Sequence, residues 1–242
     1  MNSSKKQSHY KAILFDIDGT LLAATHIGRP FIIQTLIDIC AKAPSLENYD
    51  MAGKTDWSIF MDLMQLCGLS FEEAQAHLKL AFKKFAQYLT ESKPTLNGRA
   101  LPGVHDLLVT LSNNNDVLLG LLTGNIHEIV IPKLESAGID PAMFSFGVYG
   151  NEHPQRDELA KKAFNKVVER LGEDIKTDDV LVIGDTHRDI TCARSAGMHV
   201  LAVATGFMTY DELGVFKPDY LLNDLKDTKS VLNIIYKRNY IS

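Results

Sequence analysis

Lys11-Ala12-Ile13-Leu14-Phe15-Asp16-Ile17-Asp18-Gly19-Thr20 is an apolar run that stops in two acids, a glycine and a threonine. Ala12 to Phe15 have the composition of a buried strand. A strand ending in acids places negative charge at the carboxyl edge of a sheet, where open α/β sheets hold their ligands. Burying such charges without a partner is expensive. A hard cation with oxygen ligands, Mg2+ above all, is the natural partner. Gly19 lets the backbone turn sharply behind the acids. The plain alternative is an acidic turn after a strand.

Downstream of Asp116 the pattern is strand, turn, helix, repeated. Val117–Leu122 is an apolar strand ending in Thr123-Gly124-Asn125, followed by a helix over about 127–137. Ser145–Tyr149 is a short strand and 158–171 a long helix. Val180–Ile183 ends in Gly184-Asp185-Thr186, followed by a short helix over 188–196. Val200–Ala204 and Asp219–Leu222 complete the strands, and a last helix begins near Asp227. Strands alternating with helices imply right-handed crossovers and a mainly parallel sheet. Asp16, Asp18, Thr123, Asn125 and Asp185 all follow strands directly, so the fold brings them to one edge.

Between Leu22 and Leu101 the period changes to that of helices. Phe31, Ile32, Leu36 and Ile39 form one apolar face. Ile59, Phe60, Leu63, Met64 and Leu66 form a second, and Phe71, Ala74, Leu78, Phe82, Phe85 and Leu89 a third. Breaks fall at Ala43-Pro44-Ser45 and Cys67-Gly68, Ser70 with Glu73 reads as a capping box, and Pro94 and Asn97-Gly98 mark the exit. The division expected is a core of 10–23 and 98–242 and an all-helical insertion of 24–97. Leu101-Pro102-Gly103 opens the helix that leads back, ending at Asn113–Asn115.

A net charge of −5 argues against nucleic acid and acidic membrane surfaces as partners. No apolar run approaches a membrane span. Three widely spaced cysteines read as reduced thiols of a cytoplasmic protein, and Met1–His9 as a frayed polar tail.

The strand-end residues suit phosphoryl transfer. Asp16 would attack phosphorus as a carboxylate nucleophile, and Asp18 would protonate the leaving alcohol and later activate water. Thr123, Gly124 and Asn125 at a helix start could hold the phosphoryl oxygens. Asp185 would complete a Mg2+ site with Asp16 and the backbone carbonyl of Asp18. Asp189, one helical turn on, could bind the metal directly or through water. Arg156 is the best-placed cation to neutralise nucleophile and phosphate.

These residues resemble the haloacid dehalogenase superfamily. Phe15-Asp16-Ile17-Asp18-Gly19-Thr20 is similar to its first motif, Leu122-Thr123-Gly124-Asn125 to its second, and Gly184-Asp185-Thr186 with Asp189 to its fourth. The insertion after the first motif resembles the cap of the phosphoglycolate phosphatase-like branch. The resemblance implies an α/β fold, a Rossmann-like parallel sheet core with helices on both faces plus an inserted all-helical cap. It also implies Mg2+-dependent hydrolysis of a small phosphate ester. The family's third motif is usually a lysine. Here Arg156 stands in its place, with Lys161 the fallback, and the exchange is not neutral. The second acid, Asp18, favours phosphate esters over carbon–halogen bonds.

In the insertion, Arg29 and Lys54 could reach an anionic substrate. The alternatives are a surface ion pair for Arg29, and a solvated Lys54 beside a helix capped by Thr55 or Asp56. His187 and Arg188 could shape their loop or touch substrate. Two other functions stay open: a phosphotransferase of the phosphosugar mutase type, and a non-catalytic phosphate sensor or docking protein. A monomer and a homodimer are both compatible with the chain.

Overall fold

A computed structural model describes residues 9–23, 28–42, 44–92, 96–114 and 116–236. The expected N-terminal tail up to Ser8, Ala43 and Pro94 of the expected breaks, and Asn115 lie outside the described residues.

Nine helices and six strands are described. In chain order they are β1 (Ala12–Phe15), α1 (Arg29–Cys40), α2 (Asp56–Leu66), α3 (Phe71–Glu91), α4 (Val104–Ser112), β2 (Leu118–Leu122), α5 (His127–Ser136), β3 (Phe146–Val148), α6 (Arg156–Leu171), β4 (Val180–Gly184), α7 (His187–Ser195), β5 (His199–Val203), α8 (Tyr210–Val215), β6 (Tyr220–Leu222) and α9 (Thr228–Ile235). The sheet runs β3-β2-β1-β4-β5-β6, and every pairing is parallel. From β1 the chain moves out to β3, then returns to the other side of β1 for β4. The β1–β4 junction is therefore the topological switch point, where such sheets open a crevice at the strands' carboxyl ends. Phe15 pairs with both Leu121 and Ile183, which sets Asp16 level with the ends of β2 and β4.

Strands β1–β5 are buried on both faces, and alternate residues feed two cores. Ile13, Phe15, Leu119, Leu121, Leu181 and Ile183 pack with α4, α5 and α9. Ala12, Leu14, Leu122, Val180 and Val182 pack with α6, α7 and α8. The expected Rossmann-like α/β fold is what the chain adopts. One detail differs: Pro102 sits in the turn before the Gly103 cap of α4 rather than in the helix.

Helices α1–α3 build a third core around Leu36, Phe60, Leu63, Leu78 and Phe85, joined by Ile126 and Ile129 at the start of α5. Phe60 and Phe85 meet edge to face at 5.4 Å. Ser70 and Glu73 form the expected capping box on α3. Leu66 and Phe71, expected in the core, are 62% and 55% exposed. Each is the terminal residue of its helix, beyond the reach of the packed faces.

Candidate active site

The two acids of the opening stretch have different surroundings. Asp16 leaves β1 with its backbone N–H bonded to the Ile183 carbonyl, and its side chain is buried. Asp185 leaves β4 beside it. Asp189 lies on the first turn of α7, where its Oδ2 accepts from the Thr186 N–H and hydroxyl in a capping box. Ligand oxygens of Asp16, Asp185 and Asp189 lie within 4.8 Å of one another. Gly19, at φ +84°, turns the backbone over Asp185. A Cβ there would overlap the Asp185 carboxylate, so the turn takes glycine.

Three buried carboxylates repel one another. Burial first, then Arg156 opposing it and Asp189 and Asp18 adding to it, leaves the Asp16 pKa raised to about 7. Asp185 is raised well above the carboxylate range by burial and by Asp189 and Asp16. Thr20 donates to Asp185 at 3.1 Å. This cluster has more negative charge than its protein partners neutralise, and its donors are all hard oxygens. It fits a hard divalent cation.

Arg156 is the cation that reaches the nucleophile position. It is the first residue of α6 rather than part of a loop, because the helix starts two residues earlier than the periodicity suggests. Its Nη2 lies 3.0 Å from Asp16 Oδ1 and also pairs with Asp189 Oδ1. Nη1 donates to the Gly53 carbonyl at 3.1 Å. Burial opposes its charge, but Asp189 and Asp16 outweigh burial and raise its pKa. Lys161 is exposed and paired with Glu158 at 2.7 Å, away from these acids.

Asp18 stands on the other side. Its Oδ2 accepts from Asn125 Nδ2 at 2.6 Å and from Lys133 Nζ at 2.6 Å. Thr123 Oγ1 accepts from the Asn125 N–H and from Asn125 Nδ2. Asn125 is thus engaged with Asp18 and Thr123 rather than open to a phosphoryl group. Gly124 lies against the Lys54 carbonyl, which a Cβ would overlap. Sequence reasoning missed Lys133. Its signal is a lysine four residues after Ile129 on the apolar face of α5.

The insertion lies over these groups. Asp56 N–H donates to the Gly124 carbonyl at 2.7 Å and Thr55 Oγ1 to the Pro154 carbonyl at 2.8 Å. Asp56 Oδ2 accepts the Ile126 N–H at 2.8 Å. Burial, opposed by Lys133 and this N–H, raises the Asp56 pKa to about 7. Thr55 caps α2 by accepting from the Ser58 N–H. Between the two layers is a cavity of about 350 Å³, lined by Asp16, Asp18, Lys133, Arg156 and Asp185 below and Arg29, Ile32, Tyr49, Lys54, Ile59 and Phe85 above. Lys54 Nζ is held by Asp62 at 2.9 Å and Tyr49 OH at 3.1 Å. Arg29 is exposed and makes no ion pair among the described residues. His187 stacks on Phe216. Arg188 bonds Asp50 at 2.9 Å and the Ala52 carbonyl, so it ties the insertion to α7. No described helix is long and apolar enough to cross a membrane.

Comparison with known proteins agrees with this geometry. Phosphoglycolate phosphatase of Synechococcus elongatus is 29% identical over 223 residues, 90% of this chain and 94% of that protein. Pyrophosphatase PpaX of Oceanobacillus iheyensis is 28% identical over 138 residues, 55% of this chain and 60% of that protein. The crystal structure of a predicted phosphoglycolate phosphatase from Haemophilus somnus matches with a TM-score of 0.69 and 24% identity, over 92% of this chain and 98% of that one. That last likeness shows the fold. The family model of the haloacid dehalogenase-like hydrolases matches residues 13–203, from β1 to the end of β5. The chain belongs to the haloacid dehalogenase-like hydrolases.

Proposed function

We propose that the chain is a Mg2+-dependent phosphatase that hydrolyses a small phosphorylated metabolite, a phosphoglycolate-like acid or a sugar phosphate, through an aspartyl phosphate on Asp16. One observation carries this reading. Among the described residues, Asp16, Asp185 and Asp189 form a buried cluster of carboxylates that share one guanidinium, and Asp16, Asp185 and Arg156 line the cavity. Surplus negative charge on hard oxygens at the floor of a cavity is what a divalent cation would complete.

The Asp16 carboxylate attacks phosphorus, the bond to the ester oxygen breaks, and Asp18 gives that oxygen a proton. Water then attacks the phosphorus of the acyl phosphate, Asp18 takes its proton, and Asp16 is regenerated. Arg156 holds Asp16 in line and opposes the charge gathered as the dianion approaches. Asp16, Asp185 and Asp189, with the Asp18 backbone carbonyl, would hold Mg2+. The ion supplies Lewis-acid stabilisation of transition-state charge. The helical insertion serves as the cap, and the cavity beneath it receives the rest of the substrate.

The test is phosphate release from p-nitrophenyl phosphate, with Mg2+ and with chelator, for the intact protein and Asp16→Asn. Release that needs Mg2+ and vanishes in Asp16→Asn supports the reading. Folded protein that releases nothing, but interconverts sugar phosphates when primed with a bisphosphate, replaces it with the mutase.

A further inference from the structure

The partners of Arg156 come from both layers of the site. Nη2 lies 3.0 Å from Asp16 Oδ1, pairs with Asp189 Oδ1 and donates to the Leu122 carbonyl at 3.4 Å. Asp16 follows β1, Leu122 ends β2 and Asp189 is on α7, so this arm is held by the sheet layer. Nη1 donates at 3.1 Å to the carbonyl of Gly53, which belongs to the helical insertion. A planar fork held at both nitrogens has one orientation. Were the insertion to lift, Nη1 would meet water and the fork could pivot about its other arm.

Gly53 is shaped for this contact. The Lys54 N–H closes a tight turn on the Met51 carbonyl at 3.0 Å. Gly53, the third residue of that turn, has φ +67°, which favours glycine. A Cβ on it would come within 2.5 Å of Thr186 Oγ1 and 3.0 Å of Arg188 Cβ. Thr186 caps α7 and donates its hydroxyl to Asp189 Oδ2 at 2.6 Å. Arg188 holds the same turn through the Ala52 carbonyl and Asp50. The turn is therefore wedged against the start of the helix that carries Asp189, with its carbonyl on Arg156.

We propose that Gly53 is a positioning residue for the nucleophile's cation. Its carbonyl fixes one arm of Arg156 so that the other is set against Asp16, and seating of the insertion is thereby coupled to neutralisation of the nucleophile. A lysine at 156 would offer one nitrogen for acceptors that here lie on two. The coupling is reciprocal by linkage: what loosens the fork at Asp16 loosens the turn, and what lifts the turn loosens the fork. Asp16 is then neutralised for attack only while the insertion covers it. The inference rests on reading Asp16 as the nucleophile that Arg156 serves.

The experiment is a double-mutant cycle on Gly53→Ala and Arg156→Lys, with two readouts. One is kcat on p-nitrophenyl phosphate. The other needs no turnover: acrylamide quenching of Trp57, the sole tryptophan. Trp57 is in the first turn of α2, and its backbone N–H donates across the junction to the Gly150 carbonyl at 3.4 Å. Gly53→Ala is expected to lose about 10- to 100-fold in kcat, as a misplaced catalytic group does. The two changes together should lose no more than about threefold beyond the worse single change, because both break the same link. Trp57 should be more open to quencher after either change, although residue 156 lies on the sheet side of the junction. Thermal melting checks folding. If Gly53→Ala does not fold, Arg188→Met, which frees the turn from α7 and leaves Gly53 intact, must give the same two results. Losses that multiply in the double variant, or Trp57 quenching that Arg156→Lys leaves unchanged, overturn the proposal and leave the phosphatase reading standing. An intact protein that releases no phosphate overturns both.

Discussion

Asp16 and Asp18 are two residues apart, but their halves of the site are built on opposite principles. Around Asp16, three carboxylates share one guanidinium. Around Asp18, one carboxylate is met by one ammonium and one amide. The first half has surplus negative charge, and burial pushes Asp16 up to about 7. The second balances internally and leaves a single acceptor lone. An electrostatically incomplete half is one that a ligand would complete, and the hard oxygens here suit a cation. A complete half is a tool set before the ligand arrives. Charge balance thus separates the two halves of the site, and chain position does not.

The largest expected effect comes from removing the centre of the incomplete half. Asp16→Asn should abolish turnover, by at least about 10⁴-fold, because the nucleophile and a cation ligand go together. It should also melt higher than the intact protein in chelator at pH 8, since one of three repelling buried charges has been neutralised. A lower melting temperature under those conditions would break the contrast between the halves. Arg156→Lys comes next. It keeps the charge but not the planar fork that spans Asp16, Asp189 and the Gly53 carbonyl. A loss in kcat/KM of about 10- to 100-fold is expected, measured on p-nitrophenyl phosphate. Activity equal to the intact protein would mean that a point charge suffices there.

The two halves were also unequally legible. Asp16 and Asp185 stand out in the sequence because acids directly after apolar strands have few structural reasons to be there, and Asp189 follows one helical turn after Asp185. The register of β1 with β4 then places them together. Lys133 is hidden in an amphipathic helix, where a lone lysine reads as solvated. Only packing α5 against the third core shows that its position faces inward. Asn125 was visible, but not its partner, because hydrogen-bond direction depends on neighbours 107 positions away. The parallel direction of the strands follows from the alternation of elements. The exposed ends at Leu66 and Phe71 do not, since helix periodicity says nothing of where a partner helix stops.

Acidity offers a way to sharpen the contrast. Asp16 and Asp56 have folded pKa values of about 7, against about 3.9 unfolded. Below pH 4 both states are protonated. Between pH 4 and 7 the folded state binds more protons, so stability falls as pH rises through that window and levels off above it. Each pKa unit corresponds to about 1.4 kcal/mol, or about 3–6 °C in a chain of this size. Metal-free protein should therefore melt lower at pH 8 than at pH 5 by calorimetry. Mg2+ should raise the pH 8 melting temperature and leave the pH 5 value nearly unchanged, because only ionised carboxylates bind it. Asp56→Asn should flatten part of the slope without altering the Mg2+ response, since Asp56 lies outside the cation cluster. A Mg2+ effect equal at both pH values would place the ion elsewhere.

The same distinction between open and closed charge recurs, more weakly, in the insertion. Arg29 and Lys54 both line the cavity. Lys54 is closed: Asp62 and Tyr49 hold its ammonium. Arg29 is open, and it lies in the first turn of α1, which contains no acid and where the helix dipole disfavours a cation. Its charge therefore does nothing for the helix, and under the proposed function it would meet an anionic group of the substrate. Arg29→Met should raise KM for a carboxylate-bearing phosphate ester by about 2- to 5-fold, the size of an exposed ion pair, with the melting temperature unchanged. Lys54→Met should do the reverse, lowering the melting temperature by the loss of its pairing while KM stays within about twofold. If Lys54→Met raises KM as much as Arg29→Met does, the Asp62 pairing opens when substrate binds, and closed charge in this cavity is a resting state rather than a commitment.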